Sequence, residues 1–472
     1  MAISDATLDD APAAPAAGKL HKRLSTFECL LLTLSCLSPV VSIFGIGSDV
    51  LHQAGSGAAP LFLFGIAVAV LWAVVYAELG SAYPYAGGDY VGIGSVLGPW
   101  AGAVTLACWA AIIGPQNAFQ TKTIADYVKD VLPGMQDGPV TAIALIGEVA
   151  IALLAVRTGA FVTGVFLAIE LVAVLVLAGA GLIHPGHGAL HAFTAPMTIG
   201  AHGGWIAPSL TVLALAGVNT AYATVGGNQA IYFGEELINP HRRMGRVILI
   251  ACLTGAFLIA APVILLVMNA PDFGAVLRAK TPLSEFVAQT LSPAAGKAIS
   301  ASVALAIFNA TIVNIMMGAR LFFSLGRDRV FPRPVDSLLA RVSPASGVPW
   351  IATLVVGVYT AACCFLSTHA LLVFISGLLV YGWGLVCLAV LVGRLRGKTG
   401  ANGFWRAPLG LTAPILGLVL TVVFAVADIA DPDAGRPSLL LMGAIAVAAA
   451  LWSRFVLEKR PGGWSPTLID HG

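Results

Sequence analysis

Ser38-Pro39-Val40-Val41-Ser42-Ile43-Phe44-Gly45-Ile46-Gly47-Ser48 interrupts an apolar run that extends from 26 to 53. Pro39 removes a backbone hydrogen bond, and Gly45 and Gly47 weaken a helix further. A second stretch of the same kind, Asn219-Thr220-Ala221-Tyr222-Ala223-Thr224-Val225-Gly226-Gly227-Asn228-Gln229, lies in the apolar run 206–237. Both breaks fall at the depth where lipid would surround the chain. Lipid satisfies no amide or carbonyl, so non-helical backbone is tolerated there only where it lines a protein cavity.

The rest of the chain supports that setting. Of its 472 residues, 58% are hydrophobic and 10% charged, against about 25% charged in a soluble domain. Apolar runs divide it into twelve predicted spans: 26–53, 58–81, 98–128, 138–156, 161–183, 206–237, 245–269, 294–324, 349–367, 369–393, 410–430 and 437–457. The net charge of +2 and the lack of a basic, aromatic-interleaved patch argue against a nucleic-acid partner; the lipid bilayer is the partner implied. Residues 1–25 read as a disordered cytoplasmic tail and 458–472 as a second cytoplasmic tail. With the N-terminus inside, 18 Lys and Arg fall on inner segments and 6 on outer ones. That threefold excess follows the positive-inside rule, places both termini in the cytoplasm and predicts a multi-pass protein of the inner membrane.

The two breaks open the first and sixth spans, and so occupy matching places in two five-helix halves. Such a pair is the sequence mark of a transporter site built by inverted repeats. Freed amides at a half-helix N-terminus attract a carboxylate, and freed carbonyls at a half-helix C-terminus attract an ammonium group. A zwitterion is thereby held without a charged side chain.

Three further blocks carry a family resemblance. Ala77-Glu78-Leu79-Gly80-Ser81-Ala82-Tyr83-Pro84-Tyr85-Ala86-Gly87-Gly88-Asp89-Tyr90, Gly234-Glu235-Glu236-Leu237-Ile238-Asn239-Pro240-His241-Arg242-Arg243 and Gly318-Ala319-Arg320-Leu321-Phe322-Phe323-Ser324-Leu325-Gly326-Arg327-Asp328 occur in this order. The last is followed by Gly347-Val348-Pro349. Together they resemble the permeases of the amino acid–polyamine–organocation superfamily. The resemblance implies an all-α, leucine-transporter-type fold. Residues 26–183 and 206–393 would form two inverted five-helix repeats, and 410–457 two peripheral helices. It also implies a small-molecule substrate, an amino acid or amine, bound among helices 1, 3, 6, 8 and 10.

On that basis the expected substrate-binding residues are Ser38, Val41, Ser42, Gly45, Asn117, Tyr222, Gly226, Gly227, Asn228 and Asn309. The family's Gly-Ser-Gly stretch of helix 1 falls near Ser42 to Phe44, with Gly45 to Ser48 as a shifted alternative. A position often acidic in the family is Asn228 here, which argues against a strongly cationic substrate.

Acids inside spans are rare and costly, so each is a functional candidate. Glu170 falls in the fifth span, where proton-coupled family members carry a Lys that stands in for a sodium ion. A Glu cannot copy that charge, but it can be protonated when desolvated and ionised when water enters. It is the expected proton-coupling residue, with H+ favoured over Na+ as the coupling ion. Glu148 in the fourth span is a second candidate. Glu78, Glu235, Arg242 and Arg327, at cytoplasmic helix ends, form the expected inner gate.

No metal or cofactor is expected. His184, His187 and His191 have metal-like spacing, but in a Gly/Pro-rich loop they read as solvated. The seven cysteines lie in apolar stretches without CxxC spacing and read as packing residues. No HExxH, P-loop or GxSxG is present, so the chain is not read as an enzyme. The expectation is a proton-coupled amino acid symporter working by alternating access. A polyamine- or choline-type porter, an exchanger of the same fold and a transporter-like ligand sensor are the alternatives.

Overall fold

The computed structural model describes residues 20, 22–132, 134–183, 189–200, 203–377, 379–401, 404–460 and 464–466. It is 79% helical. The strands among these residues are the two-residue pair Thr198–Ile199 and Trp205–Ile206. His184 and His187, the tail residues 1–19, and residues 467–472 lie outside the described residues, as does the side chain of His191.

Eight helical stretches are long and apolar enough to cross a bilayer, and one of them, Thr26–Ala82, runs for 57 residues. That stretch contains two passes, because the chain turns at Gly55, whose φ is 57°. A Cβ there would sit 2.1 Å from the Met197 carbonyl oxygen, so no larger residue fits the turn. Pro99–Val131, Asp137–Ala152 and Trp350–Cys363 complete the twelve spans. The boundaries follow the apolar runs closely. The fourth stops at Ala152 and the ninth at Cys363, each a few residues short of its run.

Local chemistry fixes the helix ends. Ser25 and Glu28 form a reciprocal capping box at the start of the first span, satisfying two amides that have no helical partner. Glu28 also takes the Arg157 guanidinium at 2.7 Å, tying the first span to the fifth. Ser209, Ser292 and Ser367 cap the sixth, eighth and tenth spans.

The fifth span shows how the faces sort. Phe161, Val165, Ile169, Val172 and Leu175 are exposed, whereas Thr163, Leu167, Glu170, Val174 and Leu177 are buried. The buried set recurs every three or four residues, which places Glu170 on the core-facing stripe. Val419, Val422 and Val426 on the eleventh span and Leu440 and Val447 on the twelfth form a bare apolar belt. Such a belt requires lipid around it.

Both terminal segments are anchored at one end of the bundle, and the described end of the N-terminal tail, expected to be disordered, is packed. Leu24 is fully buried and pairs with Leu237. Trp464 is buried and donates its indole N–H to the Asp328 carbonyl at 2.9 Å.

Gly234 packs against the backbone of Pro84, where an added Cβ would come within 2.3 Å of the carbonyl oxygen. Gly179 on the fifth span has nothing within 4 Å of that position. Gly234→Ala is expected to destabilise the detergent-solubilised protein by about 1–3 kcal/mol, and Gly179→Ala to leave the thermal midpoint unchanged or slightly raised.

Candidate functional site

The first break is sharper and earlier than the glycines suggest. The helix Thr26–Leu37 ends at Ser38, which adopts φ 39°, ψ 91°, and a new helix begins at Pro39. Ser42 and Gly45 therefore belong to the restarted half, in a widened stretch Ser42–Gly47, and not to the break itself. Ser42 Oγ reaches back to the Leu37 carbonyl at 3.4 Å, while Gly45 faces open space. The residue that bends the chain is Ser38, because Pro39 has no N–H to continue the helix and disfavours a helical residue before it.

Glu170 caps this second half. Its Oε1 accepts the Ser38 hydroxyl at 2.7 Å and the Val40 amide at 2.9 Å. The Ser38 oxygen in turn accepts the Val41 amide at 3.4 Å. Glu170 is 1% exposed, and its Oε2 meets no donor among the described residues.

In the sixth span, Leu210–Thr224 is helical, Val225 is extended, and Gly226 turns at φ 151° into the 3-10 turns Gly227–Glu236. Thr224 Oγ donates to the Gly65 and Thr220 carbonyls, at 3.0 Å each. Cys252 Sγ on the seventh span packs against Gly227, 2.6 Å from where a Cβ there would stand. Asn228 is buried, and its Oδ1 accepts the Trp72 indole N–H at 3.1 Å. Tyr222 is half-buried and packs between two core clusters.

The two breaks touch. The Leu37 side chain, one residue before the first break, lies 3.3 Å from where a Cβ on Gly226 would stand. Beside it, Cys36 Sγ donates to Asn314 Oδ1 on the eighth span at 3.2 Å. Gln120 Oε1 on the third span accepts from Asn314 at 3.1 Å and from Thr311 at 3.3 Å.

Asn314 is thus the eighth-span asparagine turned toward the first span. Asn309, five residues earlier, lies about 140° round the helix, fully buried and without a partner among the described residues. Asn117 is also turned elsewhere, donating to Thr360 of the ninth span at 3.4 Å. Tyr381 points to the twelfth span, bonding the Leu439 carbonyl. Glu148 accepts from Thr121 at 2.9 Å, between the third and fourth spans.

At the end of the bundle that holds both terminal segments, three buried ion pairs form. Glu235 takes Arg327 Nη1 with both oxygens, at 2.7 and 2.9 Å. Glu236 takes Arg320 at 2.5 and 2.9 Å, and that guanidinium also lies 4.5 Å over the Phe233 ring. Glu78 takes Arg394 at 2.7 Å and accepts Thr399 Oγ and the Ala407 amide. Arg242 is exposed and joins none of these pairs. The sequence reading missed Arg320 and Arg394 as partners. An arginine inside the eighth span needs a buried counter-ion, and that signal pointed to Glu236.

Residues 24–451 match the family model for amino acid permeases. The chain belongs to the amino acid permease family. It is 28% identical to the Asc-type amino acid transporter 1 of Mus musculus over 418 residues, covering 84% of this chain and 74% of that one. Against the branched-chain amino acid permease BcaP of Lactococcus lactis subsp. cremoris it is 26% identical over 411 residues, covering 80% and 83%. Against the human large neutral amino acids transporter small subunit 2 it is 26% identical over 339 residues, covering 68% and 62%. This permease is therefore a polytopic all-α transporter of the amino acid–polyamine–organocation fold, and not an enzyme.

Removing one member of a buried ion pair strands the other, at about 3–5 kcal/mol. Arg320→Met is expected to lower the unfolding free energy of the permease by that order, and Arg320→Met with Glu236→Leu to recover most of it. Arg242→Ala is expected to stay within about 0.5 kcal/mol of wild type.

Proposed function

We propose that this permease is a proton-coupled symporter of neutral amino acids, working by alternating access. The observation that carries the reading is the contact between the two breaks, Leu37 against Gly226. It gathers amide and carbonyl ends around a region where, among the described residues, Glu170 is the carboxylate bonded to a break. The substrate carboxylate faces the half-helix that starts at Pro39. The ammonium group faces the carbonyl end of Leu210–Thr224, with Asn228 and Tyr222 beside it. Asn228 supplies no negative charge, which suits an uncharged side chain on the substrate. The relatives' names, large neutral and branched-chain among them, support the same class.

Glu170 carries the coupled proton in this reading. It is buried on the face toward the first span, and among the described residues its partners are Ser38 and Val40, neither of them a cation. The pairs Glu235–Arg327, Glu236–Arg320 and Glu78–Arg394 form the inner gate, and they support a cytoplasmic location for that end. The excess of Lys and Arg on the same segments supports insertion in the cytoplasmic membrane with both termini inside. Residues 26–183 and 206–393 act as the two inverted repeats that rearrange around the breaks.

Proteoliposomes loaded at alkaline pH and diluted into acidic buffer are expected to accumulate radiolabelled alanine or leucine without sodium. Glu170→Ala is expected to abolish gradient-driven accumulation while retaining counterflow. Uptake that needs sodium, or binding without counterflow, overturns the proposal.

A further inference from the structure

A helix N-terminus can hold a carboxylate only with amides that are not already bonded, so the first amides of the second half-helix decide whether that subsite is open. Pro39 has no N–H. The Val40 amide is bonded to Glu170 Oε1 at 2.9 Å. The Val41 amide reaches the Ser38 oxygen at 3.4 Å, and the Ser42 amide bonds the Ser38 carbonyl at 3.1 Å. Each of the four positions is closed, and the strongest of these bonds is made by a side-chain carboxylate. We infer that Glu170 is a built-in surrogate for the substrate carboxylate: it occupies the half-helix amides in the empty site and must give up the Val40 N–H before substrate binds.

The inference rests on the amino acid transport reading and gives its coupling a physical origin. A substrate carboxylate and an ionised Glu170 cannot share one amide, because like charges at contact repel strongly where water is excluded. Protonation resolves the conflict. A proton taken from water on the open side forms an O–H bond at Oε2, the oxygen that no donor among the described residues reaches. The now neutral carboxyl loses its charge-assisted bond to Val40, and the substrate carboxylate replaces it. When the site opens to the other side, the same O–H bond breaks, the proton returns to water, and Glu170 reoccupies the amide as substrate leaves.

Among the described residues, no other titratable side chain bonds the Glu170 carboxylate or the Val40 amide. On the elements packed against the fifth span, Cys36 bonds Asn314 and Cys252 packs against Gly227. Glu285 bonds Gln289, while Arg320 and Arg327 are paired with Glu236 and Glu235. Among the described residues, Ser38 and Val40 are the hydrogen-bond donors to the Glu170 carboxylate. Proton and substrate therefore raise one another's affinity by the same factor, and affinity for an amino acid falls as pH rises.

The test is equilibrium binding of radiolabelled alanine or leucine to the full-length detergent-purified protein from pH 5 to 9, alongside the corresponding carboxylate-free amine. In wild type, amino acid affinity is expected to weaken about tenfold per pH unit once Glu170 ionises, as one linked proton requires. Glu170→Gln and Glu170→Ala are expected to bind independently of pH, about as tightly as wild type does at acidic pH. The amine is expected to show no pH slope in any of the three proteins. If the variants keep the wild-type slope while wild type still binds and counterflows amino acids, the surrogate role is overturned and the transport reading stands. If the amine binds as well as the amino acid with the same slope, the subsite does not take a carboxylate and the surrogate role is again overturned. A wild-type protein that binds no amino acid at any pH overturns both.

Discussion

A bilayer offers no hydrogen bonds, so every backbone group freed by a broken helix must find a partner within the protein. The centre of this permease is arranged around that requirement. At the first break Glu170 and Ser38 take the amides of Val40 and Val41. At the sixth, Cys252 Sγ packs against Gly227, and Thr224 satisfies the Gly65 carbonyl across to the second span. The two breaks meet because Gly226 leaves room for Leu37. Without these caps either break would be a defect in a membrane helix; with them, the breaks are polar surface that a ligand can compete for.

Charge is distributed accordingly. Near the breaks the groups are amides, hydroxyls, thiols and one carboxylate, linked from Cys36 through Asn314 to Gln120. The paired charges lie at one end, where Glu78, Glu235 and Glu236 each hold an arginine in a buried two-pronged contact. Such pairs contribute less to net stability than they do to geometry, because desolvation offsets most of their attraction. Their geometry ties the second span to the tenth and the sixth to the eighth. The terminal segments join the same end, Leu24 through Leu237 and Trp464 through Asp328.

Much of this was legible along the chain. The spans follow from runs of apolar residues, which period and length identify directly. The presence of two breaks follows from Pro39 and from Gly226-Gly227, and Glu170 follows from the rarity of acids in such runs. Other features were not legible because they depend on direction around a helix. Asn309 and Asn314 are chemically identical in sequence, yet only the rotation of the eighth span turns Asn314 toward Cys36. Asn117 similarly faces Thr360 and not the breaks. Arg242 sits within the motif block but is exposed, while Arg394, more than 300 residues from Glu78, becomes its partner.

The sequence alone determined a twelve-span membrane protein, its family and the existence of two interrupted helices, because lipid imposes composition and length constraints that act residue by residue. Only the tertiary structure decided where the first break falls, which groups cap it and which charges pair. Those outcomes depend on contacts between segments far apart in the chain, and no local pattern encodes the angle at which two helices meet. The position of Glu170 on the Val40 amide is the clearest case: sequence supplies the acid and the broken helix, and packing of the fifth span against the first brings them to 2.9 Å.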